Sequence, residues 1–130
     1  MFKIIPINDK SIQQEYAKAC GADYIEDFFA YSMTDADTEK LMGFSQFEIN
    51  ENGGFISDIK PKIGLTDDEA MFILGRATMN FIDLCGKHVC YAKKNAGDEK
   101  LLSAIGFKTE KDDLLFCDMT GMFDGKCSGK

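Results

Sequence analysis

The sequence lacks the apolar segments that would place it in or across a membrane. No apolar run approaches the ~20 residues that a bilayer-spanning helix needs. The first residues, Met1 to Pro6, also lack the apolar core of a signal peptide. We therefore predict a chain with no signal peptide and no membrane partner.

Basic residues are also too few for one large class of partners. The chain has 15 Lys and Arg against 22 Asp and Glu, a formal net charge of −7. Binding to phosphate backbones requires clustered Lys and Arg side chains. We therefore predict no nucleic-acid partner, and interpret the acidity as favouring solubility.

Cysteine and histidine usage gives little support to a metal site. The five cysteines are odd in number and irregular in spacing, which predicts reduced thiols and a cytoplasmic location: Cys20, Cys85, Cys90, Cys117 and Cys127. A single histidine, His88, lies between Cys85 and Cys90. Zinc usually takes four ligands, so Cys117 or Cys127 would have to join. Buried thiols and an isolated histidine are the simpler interpretation, and no metal site is predicted.

The organisation of the chain is that of one small domain. No Walker loop, Rossmann fingerprint, nucleophile elbow, internal repeat or linker is present in the 130 residues. We predict one domain over residues 1–119 and a flexible Gly-rich tail over residues 120–130.

Hydrophobic patterning predicts an α/β (α+β) protein with a mixed central sheet, helices on both faces and the order β-α-β-β-β-α-β-α-β. The predicted strands are Phe2–Ile7, Glu26–Met33, Lys40–Asn50, Phe55–Lys60, Lys87–Lys93 and Leu114–Met119. The predicted helices follow Asn8-Asp9, run from Asp67 to Cys85, and follow Asp98 up to Gly106.

The central stretch, Phe55 to Cys85, reads as a strand, a short loop and a long helix. Thr66 precedes Glu69 by three residues, the spacing of a capping box. The helix has one narrow polar stripe, which predicts packing on several sides. A strand-to-helix junction of this kind is the usual phosphate site of α/β proteins.

A local pattern near the end of the chain resembles the GNAT N-acetyltransferase superfamily. That superfamily commonly carries N-x-x-A-x-x-[FL]-Y-x-x-x-G-F, and four residues match it at the right spacing: Asn95, Leu101, Gly106 and Phe107. Asp98 stands at the Ala position and Leu102 at the Tyr position. With the order of elements, the resemblance extends from Phe2 to about Met119 and implies a GNAT-like fold.

The resemblance implies acetyl-CoA as cofactor. In the superfamily, the strand before the long helix diverges from its neighbour and its backbone receives the pantetheine arm. The following loop then wraps the pyrophosphate. In this sequence the corresponding cofactor contacts are Ile59, Lys60, Lys62, Gly64 and Asn95.

The loop departs from the superfamily pattern in its charge. Gly64 stands at the Arg position, and the two Gly positions hold Asp67 and Glu69, with Asp68 between them. Like charges ~4 Å apart cost ~1–4 kcal/mol near a surface, whereas a helix dipole offers an anion ~0.3–2 kcal/mol. The pyrophosphate loop is therefore degenerate, although Lys60 and Lys62 offset part of the charge. An acidic first turn that simply stabilises the helix is the alternative interpretation.

Acetyl transfer to an amine needs a base and often an acid. The Tyr that commonly acts as acid is replaced by Leu102, which leaves Tyr91 as a candidate. Asp58 and Glu48 are the candidate bases, with Asp58 preferred because it lies beside the cofactor strand. Each of the three also has a purely structural interpretation, as a strand-face carboxylate or a core-edge aromatic.

Two functions follow from the resemblance. The first is an acetyl-CoA-dependent N-acetyltransferase that acts on a small-molecule or protein amine. The second is a degenerate GNAT-fold binding or regulatory module without acetyltransferase activity. An exposed edge strand would also allow a homodimer.

Overall fold

A computed structural model describes residues 1–123, and within them seven strands and three helices form one layered domain. The strands are β1 Phe2–Pro6, β2 Phe29–Asp35, β3 Leu41–Asn50, β4 Gly53–Pro61, β5 Val89–Ala92, β6 Thr109–Lys111 and β7 Leu114–Asp118. The helices are α1 Lys10–Ala19, α2 Asp68–Leu84 and α3 Glu99–Ile105.

The strands form a single mixed sheet in the order β1-β2-β3-β4-β5-β7-β6. Pairing is antiparallel except between β4 and β5, which are parallel because α2 carries the chain back over the sheet. The predicted fold class and order of elements are confirmed. The exposed three-residue strand β6 was missed, since Thr109–Lys111 has no apolar alternation. The second strand begins at Phe29, not at Glu26.

The sheet is covered by helices on both faces, as predicted. Helices α2 and α3 pack on one face over the larger core, which includes Phe47, Ile59, Leu74 and Ile105. Helix α1 covers part of the other face, where Ala17 packs with Phe44 in a smaller cluster. Ten residues make α1 only ~15 Å long, and part of that face therefore remains without a helix.

Two expectations for α2 were wrong. The N-cap is Asp67, whose carboxylate accepts a hydrogen bond from the Ala70 N–H at 3.0 Å, and not Thr66. The outer side of the helix is apolar yet open to solvent, since Phe72, Ile73 and Leu84 are 37%, 36% and 75% exposed. The helix therefore packs on its sheet side and against α3, and not on several sides.

The end of the described chain packs against the core. Residues 120–123 follow β7 as a turn in which the Met122 N–H donates to the Met119 carbonyl, and Met122 and Phe123 pack on the larger core. The rest of the predicted tail, residues 124–130, lies outside the described residues. Over residues 1–123, no helix has both the length and the apolar character needed to cross a membrane.

Candidate functional site

Strand β4 has a different neighbour along each half of its length. Its first half pairs with β5 through Gly54–Cys90, Phe55–Tyr91 and Ile56–Ala92. Strand β5 then ends at Ala92. On its other side β4 stays paired with β3, where the register shifts by one residue and leaves Ser57 as an extra residue. Such a bulge bends a strand and redirects the side chains that follow.

A cavity of about 310 Å³ lies beside the second half of β4, at the N-terminus of α2. Its lining includes three of the predicted cofactor contacts, Ile59, Lys60 and Asn95. Lys62 and Gly64 lie in the exposed loop nearby but do not line it. We call this space the helix-end cavity.

The helix-end cavity is acidic. Asp67, Asp68 and Asp98 all line it, and Asp67 already caps α2. Lys60, the one cation among the lining residues, has its ammonium 3.3 Å from the carboxylate of Asp58. A phosphate group placed here would meet carboxylates before it met an unpaired cation.

The backbone of β4 beside this cavity is already engaged. The Ile59 N–H donates to the Ala96 carbonyl at 2.7 Å. A Cβ added to Gly97 would lie 2.7 Å from the Ile59 carbonyl oxygen, so Gly97 packs directly on that group. Both polar groups of the Ile59 backbone are therefore covered by residues of the chain itself.

These residues, arranged as described, do not fit the two parts of acetyl-CoA that the resemblance assigns to them. The pantetheine arm requires the free edge of β4, which Ala96 and Gly97 cover. The pyrophosphate requires an uncrowded helix N-terminus, which three carboxylates surround. Binding of acetyl-CoA by this chain stays a prediction.

Asp58, the preferred base candidate, is held in a buried polar network. Its carboxylate accepts hydrogen bonds from the Ser57 hydroxyl at 2.7 Å and from the Gln46 amide at 3.0 Å, besides its ion pair with Lys60. The residue is 5% exposed and lines neither cavity described here. Three donors from the chain itself occupy this buried carboxylate, which suits a structural role better than that of a base open to a substrate.

Gln46 is the hub of that network and was not singled out from the sequence. Its carbonyl oxygen accepts from the Gln13 side chain and from the Ile25 N–H, each at 3.0 Å. Its amide donates to the Asp23 carbonyl at 2.8 Å as well as to Asp58. The network joins α1, the α1–β2 loop, β3 and β4. The available signal was a glutamine in the most regular strand of the sequence.

A second cavity, of about 500 Å³, lies beside the first half of β4 on the face that α1 leaves open. It brings together Glu48 and Tyr91, a predicted base and the predicted acid, although they are 43 positions apart in the chain. They meet because Glu48 pairs with Phe55 across β3–β4 and Phe55 pairs with Tyr91 across β4–β5. We call this space the Glu48–Tyr91 cavity.

The Glu48–Tyr91 cavity combines aromatic walls with polar groups of both signs. Phe55 packs edge-on against Phe28, with ring centroids 6.0 Å apart. The Glu48 carboxylate accepts from the Asn50 side chain at 3.3 Å. Lys111 and Asp112 line the cavity from the β6–β7 turn, where Asp112 adopts a φ of 54°.

The cysteines and the histidine do not gather into a ligand set. Cys90 faces the core and burial raises the pKa of its thiol, whereas Cys85 is exposed. The His88 ring contacts Asp83, with Nδ1 to Oδ1 at 2.6 Å. Among residues 1–123, no three or more His, Cys, Asp and Glu side chains are arranged to hold a metal ion.

Solved structures share this architecture at low sequence identity. An N-acetyltransferase from Staphylococcus aureus Mu50 superposes with a TM-score of 0.66 at 13% identity, over 92% of this chain and 99% of that one. AtaTR bound with acetyl-CoA gives 0.63 at 13% identity, over 93% and 95%. The PaiA N-acetyltransferase from Thermoplasma acidophilum in complex with coenzyme A gives 0.60 at 15% identity, over 84% and 67%. No protein-family profile and no curated protein sequence matches the chain.

Proposed function

Because the chain has the fold of the GNAT N-acetyltransferases, we propose that it binds a small primary amine in the Glu48–Tyr91 cavity. We further propose that it acts there as a binding module rather than as an acetyltransferase. One observation carries the proposal: the sheet brings Glu48, Tyr91 and Phe55 together around an open cavity, while the acidic helix-end cavity opposes an anionic cofactor.

The chemistry of the cavity suits an ammonium ion with an apolar substituent. A carboxylate attracts the charge, and the face of an aromatic ring adds ~0.5–1 kcal/mol at an exposed site. Glu48 supplies the carboxylate, and Tyr91 and Phe55 supply the aromatic rings. The hydrogen bond from Asn50 keeps the carboxylate in place when the cavity is empty.

Tyramine is a suitable probe, since it carries one amine on an aromatic body. We expect tyramine to shift the amide resonances of Glu48, Phe55 and Tyr91 in a saturable way. The matched ligand 4-ethylphenol, which lacks the amine, should bind at least about tenfold more weakly. Glu48→Gln should remove that preference, because it keeps the shape and removes the charge. Equal binding of both ligands to the unaltered protein would sink the proposal.

An N-acyltransferase acting on the same amine is the second candidate. The specific observation in its favour is that β4 lines both cavities, one at Gly54 and Phe55 and the other at Ile59 to Pro61, roughly 13 Å apart along a strand. Two cavities joined by one strand would suit two substrates. Two of the related structures, AtaTR and PaiA, are bound with acetyl-CoA or coenzyme A.

In this second candidate, Glu48 and Tyr91 keep the predicted roles of base and acid, and Asp58 maintains the strand that separates the cavities. Incubating the protein with tyramine and acetyl-CoA tests it, with N-acetyltyramine measured by mass spectrometry. Product above the background of a Glu48→Gln Tyr91→Phe double variant would favour the transferase. Its absence, with tyramine binding intact, would leave the binding module.

A further inference from the structure

In its second half, β4 has no strand partner on the β5 side, and its backbone there would be expected to be open to a ligand. After Ile56 pairs with Ala92, β5 contributes no further residue to the ladder. An unpaired strand edge offers N–H and C=O groups that an extended ligand can pair with. At Ile59, however, both groups are covered by the chain.

A tight turn after β5 positions Ala96 and Gly97 against the Ile59 backbone. The Lys93 N–H donates to the Ile56 carbonyl at 3.1 Å, and the Ala96 N–H donates back to the Lys93 carbonyl at 3.0 Å. The turn points the Ala96 carbonyl at the Ile59 N–H, 2.7 Å away, and Ala96 is fully buried. We call residues 93–97 the closing segment.

Glycine at position 97 is required by contact. Gly97 does not have a positive φ, so its backbone conformation is one that L-residues adopt without strain. A Cβ there would lie 2.7 Å from the Ile59 carbonyl oxygen and 3.4 Å from Leu101 Cδ2. The first distance is too short for any real side chain, and the obstructing atom belongs to a central strand that cannot shift easily.

We propose that the closing segment is an internal occupant of the β4 edge that competes with the extended arm of an acyl-CoA for the backbone of Ile59. While the segment is in place, the Ile59 N–H is bonded to Ala96 and Gly97 lies against the Ile59 carbonyl, so neither group is open to a ligand. An acyl-CoA binds only when the segment has left. This inference concerns the helix-end side of β4 and does not depend on the amine proposed for the Glu48–Tyr91 cavity.

Hydrogen exchange and calorimetry on the full chain test the competition. In the unaltered protein we expect the Ile59 amide to exchange slowly and coenzyme A to give no heat at millimolar concentration. In Gly97→Ala the added methyl group forces the segment away from Ile59. The Ile59 amide should then exchange at least about tenfold faster, and coenzyme A should bind at least about tenfold more tightly.

Gly64→Ala is the matched control. It adds the same methyl group in the neighbouring loop, where nothing lies within 4 Å of the new atom. Its φ of +94° means that alanine there strains the local backbone without a steric contact. A faster Ile59 exchange confined to Gly97→Ala therefore reports the contact at Gly97 and not a general loosening.

Ala96→Pro provides an independent way to open the segment if Gly97→Ala fails to fold. It removes the N–H that closes the turn onto Lys93. Two results would overturn the inference. One is micromolar binding of coenzyme A to the unaltered protein with Ile59 still protected. The other is an exposed Ile59 amide in either variant with no gain in coenzyme A affinity.

Discussion

The two halves of β4 differ in a way that runs against simple expectation. The first half, Gly53–Ile56, is paired on both sides and borders the larger open cavity. The second half, Ser57–Pro61, has lost β5 as a partner, yet its edge at Ile59 is closed. Loss of a strand partner therefore does not by itself create a binding edge, because a buried backbone group will be satisfied by the nearest available segment.

The halves also differ in how charge is held. Glu48, beside the first half, has one hydrogen bond from Asn50 and faces an open cavity. Asp58, in the second half, is buried between Gln46, Ser57 and Lys60. A carboxylate of the first kind is available to a ligand, and one of the second kind organises the fold.

The largest expected effect is the difference in protein stability between variants that remove one or the other of these two carboxylates. Asp58→Ala removes an acceptor from the Gln46 amide, the Ser57 hydroxyl and the Lys60 ammonium. Gln46 keeps the Asp23 carbonyl and Ser57 keeps the Gln46 carbonyl, so the free energy of unfolding should fall by ~2 kcal/mol. Glu48→Ala should change it by less than ~0.5 kcal/mol. Urea denaturation followed by circular dichroism measures both. Similar losses in the two variants would remove the distinction.

The next effect concerns packing of the first half of β4 against α2. A Cβ at Gly54 would lie 2.6 and 2.7 Å from the Cγ2 and Cδ1 atoms of Ile82. Gly54→Ala should therefore destabilise the protein by ~1–3 kcal/mol, since a packed core accommodates an added methyl group poorly. Ile82→Val removes Cδ1 and keeps Cγ2, so in thermal melts the double variant should lose less stability than the sum of the two single variants. Additive losses would show that Ile82 is not the obstacle.

A smaller effect tests the charge around the helix-end cavity. In the Gly97→Ala background, adding Asp68→Asn and Asp98→Asn should tighten coenzyme A binding by about tenfold, or ~1.4 kcal/mol. Asp67 is left in place because it caps the long helix α2, and asparagine at position 98 can still cap α3 as Asp98 does. Asp27→Asn, which removes one charge elsewhere on the surface, serves as control. An affinity unchanged by the two cavity substitutions would show that closure alone excludes the ligand.

The last prediction concerns the reactivity of the cysteine thiols, which tests whether Cys20 and Cys90 are buried on the two faces of the sheet. Burial raises the pKa of Cys20 to about 12, and it raises the pKa of Cys90 as well. A raised thiol pKa means that the unreactive neutral form persists to higher pH. In a Cys127→Ser background at pH 8, we expect a thiol reagent to modify the exposed Cys85 alone until denaturant is added. Rapid native modification of Cys20 would contradict the described packing.

The strands that show regular hydrophobic alternation were predicted from the sequence. Hydrophobic alternation predicted the third strand at Lys40–Asn50 and the fourth at Phe55–Lys60, and the structure has them at Leu41–Asn50 and Gly53–Pro61. Glu48 and Tyr91 were candidates because the resemblance implies a base and an acid on the central strands. That the two residues line one cavity follows from the register of the sheet, which the sequence does not give.

Features that depend on contacts between distant segments were not predictable. The hydrogen bond between Ile59 and Ala96 is a backbone contact and leaves no side-chain pattern in the sequence. The hydrogen bond between the Gln13 and Gln46 side chains could be predicted only if the position of α1 on the sheet were known. Strand β6 forms only because β7 pairs with it, and an exposed Thr-Glu-Lys gives no local reason to expect a strand.

The close approach at Gly97 has a consequence for how this chain can vary. Any side chain at that position would collide with the Ile59 carbonyl oxygen, so the closed edge of β4 restricts position 97 to glycine. A residue outside the sheet thus limits what the edge of a central strand can contact, although it contributes no side chain of its own.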